Sequence, residues 1–390
     1  MADRNALEAA AAAGVIQAEQ VGPLHDFLAS RTAGRRAAPG GEEDLRFIRN
    51  FHDVFLAIGI ALFAIGLAIG IGVLVGDTAG PREAAITTGA LTAAAAVIMW
   101  LLGEFFARRR RLFLPAIAIV IAFTMFALAS AATLYFGILI GREPDLRADF
   151  TGGMPPEIRN GILTAAAMAF AAPGLFYARF RLPFSIGLAG GGAALFVMVA
   201  ALCFAFEQTL NLLPALYLGL GALLFLCGVT FDARDPARAT RFSDNGFWLH
   251  FAAAPLVLNG AFGLLNQAFN NGSSTIGGSG LMQAAQGGEG AAQAAATLVI
   301  VALLGFVSLL INRRVLIVSA LLTTGVAIAI IMNELGMGAG ALAASTLITL
   351  GAFVLILGAG WHVVRRALLG WVRPDGVWAR VFPPEAPAPA

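Results

Sequence analysis

Ten apolar segments, each long enough to cross a lipid bilayer as a helix, follow one another along most of this sequence. A transmembrane helix needs about 20 predominantly apolar residues. The segments lie near residues 53–76, 84–107, 112–140, 161–178, 183–206, 209–231, 246–268, 292–311, 315–334 and 341–363. The chain is 59% hydrophobic and 12% charged, whereas soluble domains carry about 25% charged residues. The sequence therefore predicts an all-α polytopic membrane protein with about ten transmembrane helices, within a range of eight to ten.

Four consecutive arginines, Arg108, Arg109, Arg110 and Arg111, separate the second and third segments and act as topology anchors. Short loops rich in Lys or Arg stay on the cytoplasmic side of a membrane. All 25 basic residues of the chain are arginine. Alternating the ten segments from a cytoplasmic N-terminus places 21 arginines on the cytoplasmic side and 4 on the other. This asymmetry predicts that both termini are cytoplasmic. The Ala, Gly and Arg bias indicates a GC-rich bacterial source, and therefore a bacterial inner membrane.

The ends of the chain differ in composition from the apolar run. Gly14 separates two short helical patterns, the second of which has Val21, Leu24, Phe27 and Leu28 on one face. The predicted division is a cytosolic helical hairpin at 1–31, a linker and juxtamembrane amphipathic segment at 32–52, a transmembrane domain at 53–363 and a cytosolic tail at 364–390. A juxtamembrane segment with Arg46 and Arg49 can contact anionic headgroups.

The break between the two N-terminal patterns reads Ala-Gly-Val-Ile-Gln-Ala-Glu-Gln at residues 13–20. A short helical pair with this turn, followed by a long run of membrane helices, resembles a bacterial family of predicted membrane proteins, the domain of unknown function 2157. The resemblance covers roughly residues 1–80. It implies an inner-membrane protein with a cytosolic N-terminal helical domain. It implies no activity and no active-site residues.

Polar side chains within the apolar segments are the candidate functional residues, because polar groups are costly at membrane depth. They are Asn211, Asn259, Asn266, Gln267 and Asn333. Asn259 lies near the middle of the seventh segment, four residues after Pro255. A proline-kinked helix can open backbone groups toward a solute, so Asn259 can line a solute cavity. The alternative is a hydrogen bond between helices.

Other features have plainer interpretations. The pairs Gly66–Gly70, Gly72–Gly76 and Gly187–Gly191 have the spacing that lets helices pack closely. The Gly- and Ser-rich loop at 269–291 is either flexible or gating. Glu104, His250 and His362 fall near predicted cytoplasmic ends, where their side chains can reach water.

The sequence predicts no catalytic, metal-binding or cofactor-binding residue. The apolar segments lack a central Asp, Glu, Lys or Arg, and His, Cys, Asp and Glu do not occur at metal-ligand spacings. Cys203 and Cys227 fall near opposite membrane faces, too far apart for a disulfide.

These patterns favour a non-enzymatic membrane scaffold or sensor. Its expected partners are the lipid bilayer and a cytosolic protein bound through residues 1–31, with no nucleic acid. The alternative is a transporter of a neutral or lipid-like solute, built from two inverted halves. An enzyme acting on a lipid-linked substrate is a third hypothesis.

Overall fold

The computed structural model describes residues 7–8, 11–27, 51–76, 78, 80–142, 154–235 and 240–269, with short stretches and single residues between 299 and 369. Within these ranges the regular structure is helical throughout, and no strand occurs. The all-α prediction is therefore confirmed for the described part of the chain.

Seven long helices account for most of the described residues. They are α1 (Phe51–Gly76), α2 (Pro81–Gly103), α3 (Phe113–Arg142), α4 (Pro156–Phe180), α5 (Pro183–Phe204), α6 (Phe206–Arg234) and α7 (Arg241–Phe269). Each is long and apolar enough to cross a membrane, which confirms the first seven predicted segments. The predicted segments at 292–311, 315–334 and 341–363 lie outside the described residues, apart from short helical stretches.

The helices pack mainly against their neighbours in sequence. α2 and α3 form an antiparallel pair with α1 against both, α4 joins α3 to α5, and α7 packs between α5 and α6. Helix direction alternates along the chain, so residues 104–112, residues 181–182 and the start of α7 lie at one end. We call this the arginine-rich end, because Arg108 to Arg111, Arg179, Arg181, Arg234 and Arg241 belong to it. The C-terminal ends of α1, α3 and α5 lie at the opposite end.

An aromatic cluster fixes the packing of α2, α3 and α4. The Trp100 ring lies 5.4 Å from the Phe123 ring and 5.1 Å from the Phe180 ring, and Phe176 and Phe180 are 4.3 Å apart. Phe176 is fully buried. Each aromatic pair at these separations contributes about 0.5 to 1.5 kcal/mol of stability beyond the contribution of its buried area. These three helices therefore form a rigid unit near the arginine-rich end.

Close helix crossings occur at glycines, although not at all the predicted ones. A Cβ at Gly192 would collide with the backbone carbonyl of Ala169, and a Cβ at Gly187 would lie 2.6 Å from the carbonyl oxygen of Trp248. By contrast, Cβ atoms on the four predicted glycines of α1 would meet no described atom within 4 Å: Gly66, Gly70, Gly72 and Gly76. The packing prediction is wrong for α1 in the described part, because that helix contacts its neighbours through Ile60 and Ile71 instead.

Several helix ends follow local rules, and two arginines depart from them. α4 continues through Pro173 as one helix, and α2 extends into a π-helical turn at Glu104–Arg109. Gly14 has φ of 73° and ends the first N-terminal helical pattern as predicted. Arg111 and Arg181 adopt left-handed backbone conformations, with φ of 54° and 55°. This region is usual for glycine at helix ends and costly for residues that carry a Cβ.

The crossing of α4 and α5 should not tolerate even a methyl group. Gly192→Ala should lower the stability of the protein by about 1 to 3 kcal/mol, because the new Cβ collides with the Ala169 backbone. Gly66→Ala is the matched control, since a Cβ there meets open space. Thermal unfolding of both variants in the same detergent tests this, and equal melting temperatures for the two would contradict the crossing.

Candidate functional site

The candidate polar residue Asn259 bonds within its own helix. Its Nδ2 donates to the Pro255 carbonyl oxygen at 2.7 Å, one turn earlier in α7. This bond differs from the predicted bond between helices, which was one of the two sequence-based interpretations. The Pro255 carbonyl also lies in position to accept the Asn259 backbone N–H of the helix. The side-chain NH2 of Asn259 therefore finds its hydrogen-bond acceptor within its own helix. A role of Asn259 in solute binding stays a prediction.

Two of the other candidate residues contact each other near the opposite end. Gln267 Nε2 donates to the backbone carbonyl of Asn211 at 3.0 Å, which links α7 to α6. The acceptor is the Asn211 backbone carbonyl, so this contact does not depend on the Asn211 side chain. Asn333 and the side chain of Asn266 lie outside the described residues. The structure thus brings together two of the five candidates, as a link between helices.

An ion-pair network holds α2 to α4 at the arginine-rich end. Arg179 Nε donates to Glu104 Oε1 at 2.7 Å, and Arg108 Nη1 donates to Glu104 Oε2 at 3.2 Å. The Glu104 side chain is 28% exposed. It therefore does not simply extend to water as predicted from its position, because two guanidinium groups contact its carboxylate. The π-helical turn that begins at Glu104 carries Arg108 toward the same side.

A buried His–Asp pair joins α6 to α7 at this end. His250 Nε2 lies 3.0 Å from Asp232 Oδ2, and the His250 side chain has no solvent exposure. The expectation that His250 reaches water is therefore wrong. Asp232 lies close to the end of α6, so the pair is consistent with the predicted absence of ionisable groups at mid-helix. Sequence analysis did not identify Asp232 as part of a site.

Two glycines create the space that the pair occupies. Gly228 precedes Asp232 by four residues in α6, and Gly246 precedes His250 by four residues in α7. In antiparallel helices this places each glycine opposite the polar side chain of the other helix. A Cβ at Gly228 would lie 2.8 Å from His250 Cε1, and one at Gly246 would collide with the Asp232 carboxylate. A repeated pattern of glycine followed one turn later by Asp or His was the sequence signal for this site.

A second polar link reaches from α7 to α4. Asn245 Nδ2 donates to the Tyr177 hydroxyl at 2.7 Å, and Asn245 is fully buried. Asn245 Oδ1 and Ser185 Oγ are buried and have no hydrogen-bond partner among the described residues. Buried polar groups are normally paired, so these two atoms give this region unfilled hydrogen-bonding capacity. Hydrogen bonds and ion pairs from four helices thus converge at the arginine-rich end.

A cavity of about 480 Å³ opens beside this network. Its lining comes from the α2–α3 connection, the α4–α5 connection and the start of α7, which shows that these three regions lie at the same end. Of the four predicted topology anchors, Arg108 and Arg111 line the cavity. Arg109 and Arg110 do not, and the Arg110 guanidinium lies over the Phe105 ring.

A smaller apolar cavity of about 160 Å³ lies between α6, α7 and the helical stretch around Val307. Its lining is Leu218, Ala222, Phe225, Ala254, Val257, Leu258 and Val307. Among the described residues, no polar side chain lines it, and Asn259 is not part of its wall. This cavity can therefore hold an apolar group but offers nothing to orient a polar one.

Taken with the seven long apolar helices, this arrangement fits a membrane-embedded helical protein whose arginines are concentrated at one end. Within the described ranges, no group of three or more His, Cys, Asp and Glu side chains could hold a metal ion, and both cysteines are free. A scan against protein-family models finds no match, and neither a curated protein nor a solved structure is significantly similar to the chain.

The Asp232–His250 bond should be visible as an energetic coupling. Asp232→Ala and His250→Ala should each destabilise the protein by about 1 to 3 kcal/mol. Each substitution deprives the remaining buried side chain of the hydrogen bond that joins the two. The double variant should cost less than the sum of the two, by about 0.5 to 3 kcal/mol. Chemical or thermal unfolding of the four proteins in detergent measures the coupling. Strict additivity would show that the two side chains do not interact.

Proposed function

We propose that this protein is a non-enzymatic membrane scaffold or sensor that works at its arginine-rich end. One observation carries the proposal: side-chain pairs between helices gather there. Glu104 bonds Arg179, Tyr177 bonds Asn245, and Asp232 bonds His250, all at that end. Arg108 to Arg111 are exposed at the same end, and an exposed charged face held by these pairs is suited to binding a partner.

The middle of the described helices supports the same proposal. Thr92 and Thr124 donate to the carbonyls of Thr88 and Val120 in their own helices, both at 2.7 Å. Asn259 also bonds to its own helix. Polar side chains used in this way satisfy the helix that carries them and leave little capacity for a solute. A route for a polar solute through α1 to α7 is therefore the weaker hypothesis.

The proposed location is a bacterial inner membrane, with the arginine-rich end and both termini in the cytoplasm. The support is the asymmetric distribution of arginine, which follows the general bias of cytoplasmic loops. The resemblance to the domain of unknown function 2157 family suggests the same orientation and a cytosolic N-terminal helical module. We include both in the proposal.

Residues 1–31 are the proposed partner-binding module. In the described part of this region, Gln17 and Gln20 close a capping box, and Val15 beside it is 75% exposed. An exposed apolar side chain next to a fixed turn is a suitable contact for another protein. The scaffold hypothesis therefore assigns recognition of a cytosolic protein to this turn.

A second function, transport or binding of a lipid-like solute, is favoured by one observation. The described residues that line the cavity beside Phe225 and Ala254 are all apolar. Such a wall suits an acyl chain or another apolar group and does not suit a polar solute. The solute in the transporter alternative is therefore expected to be apolar.

Site-specific photo-cross-linking in intact cells tests the scaffold function. A cross-linker at Val15 should give one or a few discrete protein adducts, because that side chain is exposed beside the capped turn. Phe63 is the control position, since it is an exposed apolar residue on α1 that should contact lipid. Protein adducts from Phe63 alone, with none from Val15, would refute the proposed module.

Asn259→Leu separates the scaffold from a transporter of polar solutes. We expect the variant to keep the melting temperature of the parent, because its hydrogen bond lies within α7. Gln267→Leu should lose about 1 kcal/mol, since that amide links two helices. Mass spectrometry of small molecules retained by the purified protein provides the functional measurement. A polar solute retained by the parent and lost only in Asn259→Leu would favour transport.

A further inference from the structure

Five arginine side chains line the cavity at the arginine-rich end. Three connections bring them there: Arg108 and Arg111 after α2, Arg179 and Arg181 at the end of α4, and Arg241 at the start of α7. These residues are separated by up to 133 positions in sequence, and only the packing of the helices puts their guanidinium groups around one space. With a volume of about 480 Å³, the cavity can hold a group considerably larger than a single ion.

The positive charge around the cavity exceeds what its neighbouring carboxylate balances. Glu104 contacts Arg108 and Arg179. Among the described residues, no ion pair joins Arg111, Arg181 or Arg241 to a carboxylate. The Arg181 guanidinium lies 5.9 Å from the Tyr177 ring centroid, a contact that leaves its donors available. The cavity therefore offers several guanidinium donors to an anion.

The backbone adds to the same field. Phe113, Pro183 and Arg241 are the first residues of α3, α5 and α7, and all three line the cavity. The N-terminus of a helix carries about half a positive charge and backbone N–H groups without helical partners. The C-terminal ends of α2 and α4 also line the cavity and carry the opposite partial charge. Three N-termini against two C-termini leave a small positive contribution, so the arginines are the main source of positive charge.

The conformations of Arg111 and Arg181 indicate that the side chains matter at these two corners. Both residues are left-handed, which glycine adopts without strain and which costs other residues about 1 kcal/mol or more. Both line the cavity. Two strained arginines at the same site keep guanidinium groups where glycine would give the more stable turn.

The remaining wall of the cavity is apolar and belongs to the helices. Leu112, Phe113, Ala116 and Leu182 contribute to this apolar part of the lining. Both groups are at the ends of helices that are long and apolar enough to cross a membrane. A ligand with an anionic head and apolar chains matches this combination better than a wholly water-soluble anion.

We propose that this cavity binds the phosphate group of an anionic lipid headgroup, with the guanidinium groups of Arg111, Arg181 and Arg241 as its main contacts. Guanidinium groups bind phosphate through paired, charge-assisted hydrogen bonds. The inference extends the proposed function and depends on one part of it, the location of the protein in a membrane. It does not depend on a partner for residues 1–31, so a failure of the scaffold hypothesis would leave it intact.

The test uses a double variant that removes charge and relieves strain together. Arg111→Gly combined with Arg181→Gly deletes two guanidinium groups, and glycine suits both left-handed positions. The variant should therefore fold at least as well as the parent. Arg109→Ala combined with Arg110→Ala is the matched control: it removes the same charge from the same end, but these two residues do not line the cavity.

Thermal stabilisation of the purified full-length protein in neutral detergent provides the measurement. The probes are short-chain phosphatidylglycerol, short-chain phosphatidylcholine and glycerol phosphate. Phosphatidylglycerol should raise the melting temperature of the parent and the control more than phosphatidylcholine does. The glycine variant should bind phosphatidylglycerol about tenfold more weakly or worse, because at least one charge-assisted contact is lost.

Each outcome decides the proposal. Stabilisation by phosphatidylglycerol that only the glycine variant loses supports a lipid phosphate site. Equal stabilisation by glycerol phosphate, also lost only in the glycine variant, supports a phosphate site with a water-soluble occupant and refutes the lipid assignment. Equal losses in the glycine variant and the control indicate attraction to general surface charge and overturn the proposal. No preference for phosphatidylglycerol over phosphatidylcholine overturns it as well.

Discussion

The need to pair polar groups inside an apolar structure is the constraint on which the rest of this protein depends. Where water is absent, a helix satisfies its own backbone, and side chains such as Thr92, Thr124 and Asn259 return their donors to it. Ser130 also bonds the Gly89 carbonyl across two helices at mid-length, but the side-chain pairs between helices lie near helix ends. The gathering of ion pairs and hydrogen bonds at the arginine-rich end follows from this, because the helix ends there supply both charge and unpaired backbone groups.

Glycine positions decide which polar groups can meet. The Asp232–His250 pair exists because Gly228 and Gly246 let α6 and α7 approach until each polar side chain lies on the glycine of the other helix. The same residue type in α1 has no such role among the described residues, since Gly66 and Gly70 face open space. Glycine spacing alone therefore does not specify a close crossing. In α6 and α7 the close crossing occurs where a polar residue follows the glycine one turn later on both helices.

The turns after α2 and α4 supply charged groups, which the middle of the helices lacks. After α2 and after α4 the chain reverses through a left-handed arginine, and these two corners meet the start of α7 around one cavity. Arginine in place of glycine makes each turn less stable and each corner more strongly positive. The exchange is consistent with the proposed phosphate site, because guanidinium groups bind phosphate through paired hydrogen bonds.

The sequence by itself determined the helical class, the first seven helices with their approximate bounds, and the alternation that gathers arginine at one end. Hydrophobic length and charge asymmetry are local properties, so they can be read without knowledge of packing. The candidate asparagines were chosen for their depth alone, and depth does not tell whether an amide bonds its own helix or another. Only the tertiary structure decided that His250 is buried against Asp232 and that Arg111, Arg181 and Arg241 share one cavity. Those contacts join residues far apart in sequence, and the rotation and crossing of each helix pair select them.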